Sequence, residues 1–68
     1  MLNKFNTRIK ELREELALSQ EQFSKLLNCS QSTISKWESG EREPRLVYVI
    51  IISRKFKVTT DYLLGEEN

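Results

Sequence analysis

The chain has 68 residues, of which 38% are hydrophobic and 31% are charged, and its formal net charge is +1. This length suits one small domain with a modest core, and the composition is that of a soluble folded chain rather than a disordered one. No apolar run approaches the ~20 residues that span a bilayer. The start MLNKFNTRIK has no apolar stretch before a small-residue cleavage site. We therefore expect a single domain over residues 1–68, located in the cytoplasm.

Histidine is absent, and Cys29 is the only cysteine. An internal disulfide is therefore excluded, and a zinc site, which needs several such ligands, is not expected. Catalysis has little support, because the lone thiol has no histidine partner and the sequence contains no glycine-rich phosphate loop. We expect Cys29 to be a small buried hydrophobe, and we expect a binding protein that uses no metal and no cofactor.

Residues 6–17 predict the first helix. Phe5, Ile9, Leu12 and Leu16 step by four, three and four positions. This spacing gives one apolar stripe along a helix, so we expect the four side chains to face the core.

Residues 19–40 predict two short helices joined by a tight turn. Ser19 is suited to cap the first helix, and Gln22, three residues later, is suited to complete a capping box. Asn28 is one of the few non-glycine residues that tolerate the left-handed conformation in which helices end. Gly40 is suited to end the second helix in the same conformation.

The second of these helices, predicted over residues 31–38 with Ser30 as its cap, combines an apolar and a polar side. Ile34 and Trp37 are three positions apart and can share one buried face. The outer side carries amide, hydroxyl and ammonium groups, which are the donors and acceptors that read base edges in a nucleic acid. A solvated face is the alternative, but serine and threonine are poor choices for helix stability alone. The candidates for base contacts are Gln31, Ser32, Thr33 and Lys36.

The segments SQEQFSKLL, NCS and QSTISKWESGEREP together resemble the helix-turn-helix of the phage-repressor family, the lambda-repressor and Cro-like bacterial DNA-binding domains. The similarity extends from RIKELREELALSQ to VTTDYLLG and so covers nearly the whole chain. It departs at Ser24, where the family usually has alanine, at Asn28, where it usually has glycine, and in the segment after Pro44. The resemblance implies a compact all-α domain of five helices that binds double-stranded DNA and regulates transcription, most often as a repressor.

The resemblance also implies roles for residues around the motif. Arg13 is expected to pair inside the domain with Glu38. Gln20 opens the first motif helix, where free N–H groups attract phosphate, and is expected to bind the DNA backbone and to brace Gln31. Related domains use the loop EREPR for phosphate contacts, although its glutamates weaken the local field. The phosphate-binding candidates are Gln20, Ser35 and Arg42.

Residues 46–56 predict a fourth helix. Valine, isoleucine and tyrosine also favour strands, but a lone strand would have no partner in this chain. Residues 60–64, capped by Thr59 and ended by Gly65, predict a fifth helix. At about 100° per residue, the core face of the fourth helix is predicted to consist of Leu46, Val49, Ile50, Ser53 and Phe56.

Val47 and Ile51 lie one turn apart on a different side of the fourth helix, with Tyr48 beside them. Family members commonly carry polar residues at the places of Val47 and Ile51. We expect a homodimer built on the fourth and fifth helices, with this surface at the contact, that sets two recognition helices about 34 Å apart on an inverted-repeat operator. One alternative is a slightly apolar monomer surface. Another is an antitoxin-like or regulator-docking module of the same fold, favoured by the acidic loop and the apolar fourth helix.

Overall fold

The computed structural model describes residues 4–66, which form five α-helices joined by short connections. The helices are α1 (Phe5–Glu15), α2 (Gln20–Leu26), α3 (Gln31–Ser39), α4 (Leu46–Phe56) and α5 (Thr60–Leu64). Residues 4–66 contain no strand. The prediction of an all-α chain with five helices is confirmed.

Hydroxyl side chains fix the starts of three helices. The Ser19 hydroxyl accepts a hydrogen bond from the Gln22 backbone N–H at 3.0 Å, and the Gln22 amide oxygen accepts one from the Ser19 N–H at 2.8 Å. Ser30 and Thr59 accept hydrogen bonds in the same way from the N–H three residues later. Each such cap stabilises its helix by about 0.5–2 kcal/mol. The caps predicted at these positions are confirmed.

Left-handed residues end several of the helices. Gly40 and Gly65 have φ of +82° and +75°, and Asn28 reaches +55° in the motif turn. A side-chain Cβ on Gly65 would also lie 2.5 Å from the Cβ of Lys4. Glycine is therefore required at position 65 both for its backbone conformation and for the close packing of the end of α5 on the start of α1.

The end of α1 differs from the prediction. The helix stops at Glu15 rather than at residue 17, because Ala17 adopts a left-handed φ of +57°. Leu16 is the C-cap and is 42% exposed. The prediction that Leu16 belongs to the buried stripe is therefore wrong, whereas Phe5, Ile9 and Leu12 are buried as expected.

All five helices contribute to the buried core. The Trp37 ring makes edge contacts with Phe5 of α1 at 5.8 Å and with Tyr48 of α4 at 5.2 Å between ring centroids. The rings of Phe23 and Phe56 are stacked at 5.3 Å. These contacts anchor α2 and α3 from inside, so their outer sides are held in a fixed orientation. The buried hydrophobic residues are Phe5, Ile9, Leu12, Phe23, Leu27, Ile34, Trp37, Val49, Ile52 and Leu63.

The core face of α4 is not the predicted one. Val49 and Ile52 are buried, whereas Leu46 is 72% exposed and Ile50 is 36% exposed. The prediction failed for Leu46 and Ile50 because the first two turns of α4 are apolar on every side, and the apolar spacing then marks no single face.

Cys29 lies in the turn between α2 and α3, half-buried against the core. Burial raises the pKa of its thiol, which keeps the side chain neutral and apolar in character. Within residues 4–66, no helix has the length and apolar character needed to cross a bilayer. In the same range, no group of cysteine and carboxylate side chains is placed to hold a metal ion.

Candidate nucleic-acid interface

The outer side of α3 is polar and lies opposite its core residues. Ile34 and Trp37 are 0% and 1% exposed, so the inner side of the helix is fixed. At 3.6 residues per turn, the opposite side combines small hydroxyls with one ammonium group, and the Gln31 amide stands at its N-terminal edge. Its side chains are exposed except for half-buried Lys36. This outer side consists of Gln31, Ser32, Ser35, Lys36 and Ser39.

Ser39 was not predicted as a site residue, although its position seven residues after Ser32 places both on the same side of a helix. Its hydroxyl donates to the Lys36 carbonyl at 3.1 Å and accepts from the Glu41 N–H at 3.3 Å. These bonds stabilise the last turn of α3, and they pair the Ser39 hydroxyl with backbone groups of its own segment.

Thr33 stands apart from the other predicted base-reading residues. It is half-buried, and its hydroxyl lies 2.9 Å from that of Ser30. The side chain faces the connection between α3 and α4 rather than the outer side of α3. Thr33 was predicted to contact a base, whereas this location favours contact with a phosphate.

A cleft of about 250 Å³ lies between α3 and the start of α4. Two exposed arginine side chains, the Thr33 hydroxyl and a tyrosine side chain offer it donors that suit an anionic oxygen, although the carboxylate of Glu43, which also lines the cleft, opposes an anion. Trp37 also lines the cleft, and its ring contacts Tyr48. The lining residues are Thr33, Trp37, Arg42, Glu43, Arg45 and Tyr48.

Arg45 was not predicted as a site residue, and Tyr48 was predicted on a different surface. The two residues are three positions apart around the first turn of α4, a spacing that places them on one side of a helix and that was visible in the sequence. Tyr48 is half-buried and packs against Trp37. Its assignment to the dimer surface stays a prediction.

An ion pair joins α1 to the end of α3. Arg13 Nε donates to Glu38 Oε2 at 2.7 Å, and Arg13 Nη2 donates to Glu38 Oε1 at 3.1 Å. The third guanidinium nitrogen of Arg13, Nη1, donates to the Leu18 carbonyl at 2.8 Å. The side chains are only 14% and 6% exposed. The hydrogen bond with Glu38 raises the pKa of Arg13, so the guanidinium stays charged and the predicted internal pair is present.

Gln20 belongs to the same network. Its amide nitrogen donates to Glu38 Oε1 at 3.0 Å. The carboxylate of Glu38 is a stronger acceptor than a neutral amide. The contact of Gln20 with Gln31, which the family resemblance implies, stays a prediction. The network therefore links α1, the first residue of α2 and the last turn of α3, and it fixes the angle between the two motif helices.

The helix-turn-helix family model matches residues 9–63. The chain belongs to the helix-turn-helix family. It is 45% identical over 64 residues to the HTH-type transcriptional activator BcrR of Enterococcus faecalis, a match that covers 93% of this chain and 31% of the relative. It is 32% identical over 60 residues to the HTH-type transcriptional regulator ImmR of Bacillus subtilis, covering 88% of this chain and 47% of the relative.

This helix-turn-helix chain is also similar to the repressor protein C2 of Salmonella phage P22, with 33% identity over 57 residues, covering 84% of this chain and 26% of the relative. The chain thus spans less than half the length of each of these three curated relatives. Among solved structures, the P22 c2 repressor in complex with a synthetic operator superposes with a TM-score of 0.83 at 30% identity, covering 93% of this chain and 96% of that chain.

In this helix-turn-helix unit, α2 and α3 are the two helices of the motif and residues 27–30 are its turn. The structure brings Gln31, Ser32, Ser35 and Lys36 together on α3, and it places Thr33 and Arg42 at the cleft. Val47 and Ile51 lie on the outer side of α4, 54% and 39% exposed. The polar surface and the apolar surface are therefore on different helices.

Proposed function

We propose that this chain is a sequence-specific double-stranded DNA-binding domain that regulates transcription, with α3 reading the major groove. The observation that carries the proposal is the polar outer side of α3 on a helix whose inner side is fully buried. Gln31 is suited to paired hydrogen bonds with adenine and Lys36 to donation toward guanine, while Ser32 suits either kind of edge. The similarity to a repressor bound to its operator supports this assignment.

Phosphate contacts in this proposal flank the base-reading surface. Arg42 and Thr33 reach the DNA backbone at the cleft, where Arg45 and Tyr48 supply two further donors. Ser35 and Gln20 contact phosphates on the other side of α3, and Gln20 is held there by its bond to Glu38. Cationic and hydroxyl groups of this kind position a protein on DNA without reading its sequence.

We propose that regulation is repression, in which the bound domain occupies an operator that overlaps a promoter. The relatives' names include an activator as well as a repressor, so the position of the operator relative to the promoter decides the sign of regulation in this proposal. In this proposal, residues 1–68 form one domain that acts in the cytoplasm by binding alone, without catalysis, metal or cofactor.

We also propose that the chain binds its operator as a homodimer. The exposed aliphatic side chains of α4, Val47 and Ile51 among them, supply the contact surface. A two-fold axis would place two copies of α3 about 34 Å apart, one turn of DNA, on an inverted repeat.

Selection of bound sites from a pool of random duplexes tests the proposal. We expect enrichment of one inverted repeat, followed by tight binding to that duplex and weak binding to a scrambled one. Affinity should fall steeply with salt, because each phosphate contact releases counterions. Absence of any enriched sequence would contradict DNA recognition.

The second candidate is a protein-docking module of the same fold, and the apolar outer side of α4 is the observation that favours it. Docking through aliphatic side chains depends on apolar burial and changes little with salt. Salt dependence therefore separates the two functions, since DNA binding through phosphates weakens as salt rises.

A further inference from the structure

The cleft between α3 and the start of α4 contains one side chain that opposes a phosphate. Glu43 lines the cleft together with Arg42 and Arg45, and all three residues are exposed. The guanidinium groups and the hydroxyls of Thr33 and Tyr48 can donate hydrogen bonds, whereas a carboxylate only accepts them. The Glu43 carboxylate therefore offers a phosphate oxygen no hydrogen bond, and it repels the phosphate charge.

The neighbours of Glu43 in the chain restrict where its side chain can lie. Pro44 follows it directly, and a proline fixes its own backbone and disfavours helical backbone in the residue before it. Glu43 also lines a second pocket, of about 230 Å³, together with Pro44 and Leu46. It thus stands between the two concave surfaces, and its restricted backbone keeps the carboxylate within reach of the cleft.

The connection that carries Glu43 has no net formal charge. Residues 41–45 contain two glutamates and two arginines, which alternate in the order Glu41, Arg42, Glu43 and Arg45. At distances larger than the spacing of these charges their fields largely cancel, and salt screens the remainder over about 10 Å. The connection therefore attracts DNA little from a distance, although its arginines are exposed for direct contact.

The surface beside the cleft adds little positive charge. The outer side of α3 contributes one cation, Lys36, and the charge of Glu38 is matched by Arg13 inside the domain. The basic residues in the last turn of α4 lie about 13 Å along the helix from Arg45, at 1.5 Å per residue. A single negative charge in the cleft is therefore a large part of the local charge balance.

We propose that Glu43 limits the affinity of this chain for DNA by opposing the phosphate that binds at the cleft. The inference rests on the DNA binding proposed above, and it identifies a residue that weakens this binding. Because backbone contacts are alike on every duplex, Glu43 lowers the affinity for all sequences by the same factor. Arg42 and Arg45 then bind DNA only weakly by themselves, and stable binding requires the base contacts of α3.

Binding of Glu43→Gln to the selected operator and to a scrambled duplex tests the proposal. The substitution removes the charge and keeps the size of the side chain. At about 50 mM salt we expect both duplexes to be bound about 3- to 10-fold more tightly than by the wild type, with the ratio of the two affinities unchanged. The gain should shrink at about 200 mM salt, because salt screens surface charges. Fluorescence anisotropy measures all four dissociation constants.

Two matched variants separate a role in the cleft from a change of net charge. Glu41→Gln removes the same charge from the same connection, but Glu41 is not among the residues that line the cleft. Glu11→Gln removes it from α1, where Glu11 is exposed and pairs with Arg8. The gain in affinity should be largest for Glu43→Gln and smallest for Glu11→Gln. A gain for Glu43→Gln that does not exceed that for Glu41→Gln overturns the proposal, and so does a gain confined to one duplex.

Inorganic phosphate separates failure of this proposal from failure of the proposed function. Phosphate is titrated into the protein without DNA, and the backbone amide signals of Thr33 and Tyr48 are followed by NMR. We expect Glu43→Gln to bind phosphate about 3- to 10-fold more tightly than the wild type, whereas equal or absent shifts in both proteins count against the proposal. If phosphate binding changes as expected but no duplex is bound, the role of Glu43 in the cleft stands and DNA recognition fails. If duplexes are bound without a gain for Glu43→Gln, DNA recognition stands and this proposal fails.

Discussion

The two helices α3 and α4 pack on the same core, but their outer sides differ in chemistry. Both have fully buried inner residues, such as Ile34 in α3 and Ile52 in α4. The outer side of α3 offers an amide, hydroxyls and an ammonium, whereas that of α4 offers four aliphatic side chains. The difference teaches that a shared core fixes where each helix lies, while the outer side determines what kind of partner it suits: a polar, hydrated one for α3 and an apolar one for α4.

The largest expected effect comes from removing the Trp37 side chain of α3, which packs against α4. Trp37 is 1% exposed and contacts Tyr48 of α4 and Phe5 of α1. Trp37→Ala should lower the free energy of unfolding by about 3–5 kcal/mol through lost burial and the cavity left behind. Urea unfolding followed by circular dichroism measures the change.

Ser32→Ala is the control for this prediction, because Ser32 is exposed on the outer side of the same helix and should change stability by less than about 0.5 kcal/mol. A small decrease in the free energy of unfolding for Trp37→Ala would show that α3 and α4 do not depend on a common core for their positions.

The second prediction concerns the network that fixes α3 but does not touch α4. Removing either partner of the Arg13–Glu38 pair leaves the other charge poorly solvated, since both side chains are largely buried. We expect Arg13→Ala and Glu38→Ala each to cost about 2 kcal/mol, below the 3–5 kcal/mol of fully buried pairs. The double variant should cost less than the sum of the two.

The outcome that contradicts this prediction is also informative. If Arg13→Ala keeps the melting temperature and instead weakens DNA binding on all sequences alike, Arg13 contacts phosphate and the internal pair has no structural role.

The contrast between α3 and α4 also explains how much of the fold the sequence could predict. The helix starts at Ser19 and Ser30 and the helix ends at Gly40 and Gly65 were predictable, because these residues act through local backbone geometry, which depends on few neighbours. The inner side of α3 was predictable because polar residues separate its apolar ones. The core face of α4 was not predictable. Its first two turns carry apolar residues on both sides, so the helical spacing of apolar residues fits either side equally well.

The candidate site shows the same limit. The outer side of α3 follows from helical spacing alone, so Gln31, Ser32 and Lys36 could be grouped from the sequence. The cleft depends on how the 41–45 connection folds back beside α3, which no local rule gives, and Arg45 and Tyr48 were missed as its lining residues. The left-handed backbone of Ala17 was also missed: it belongs to a local helix end in which the Leu18 N–H donates to the Arg13 carbonyl at 3.2 Å, but the alanine side chain gives no signal for it.

The third prediction sharpens the assignment of α3. Gln31→Ala should cost about 1–3 kcal/mol on the selected operator and relax the preference at one base position. Its effect on scrambled DNA should be small, because a base contact adds little where the base is wrong. Fluorescence anisotropy on matched and scrambled duplexes measures both values. Equal losses on the two duplexes would assign Gln31 to the backbone instead.

The smallest expected effect is a change in the salt dependence of DNA binding, which should distinguish Arg45, beside α3, from Arg54, on α4. Arg45 lines the cleft beside α3, whereas Arg54 lies in the last turn of α4, and both are exposed. Each substitution with alanine removes one positive charge, so any effect of net charge on DNA binding is common to both variants. Only a direct phosphate contact lowers the number of counterions released, and Arg45→Ala should therefore reduce the slope of log Kd against log salt by about one.

Arg54→Ala should leave that slope unchanged on a half-site duplex, where no second copy takes part. The half-site matters, because on the full operator a change at Arg54 would also act through the contact between two α4 helices. Equal slopes for the two variants would remove Arg45 from the phosphate contacts, and a slope change only for Arg54→Ala would place α4 rather than the cleft against the DNA.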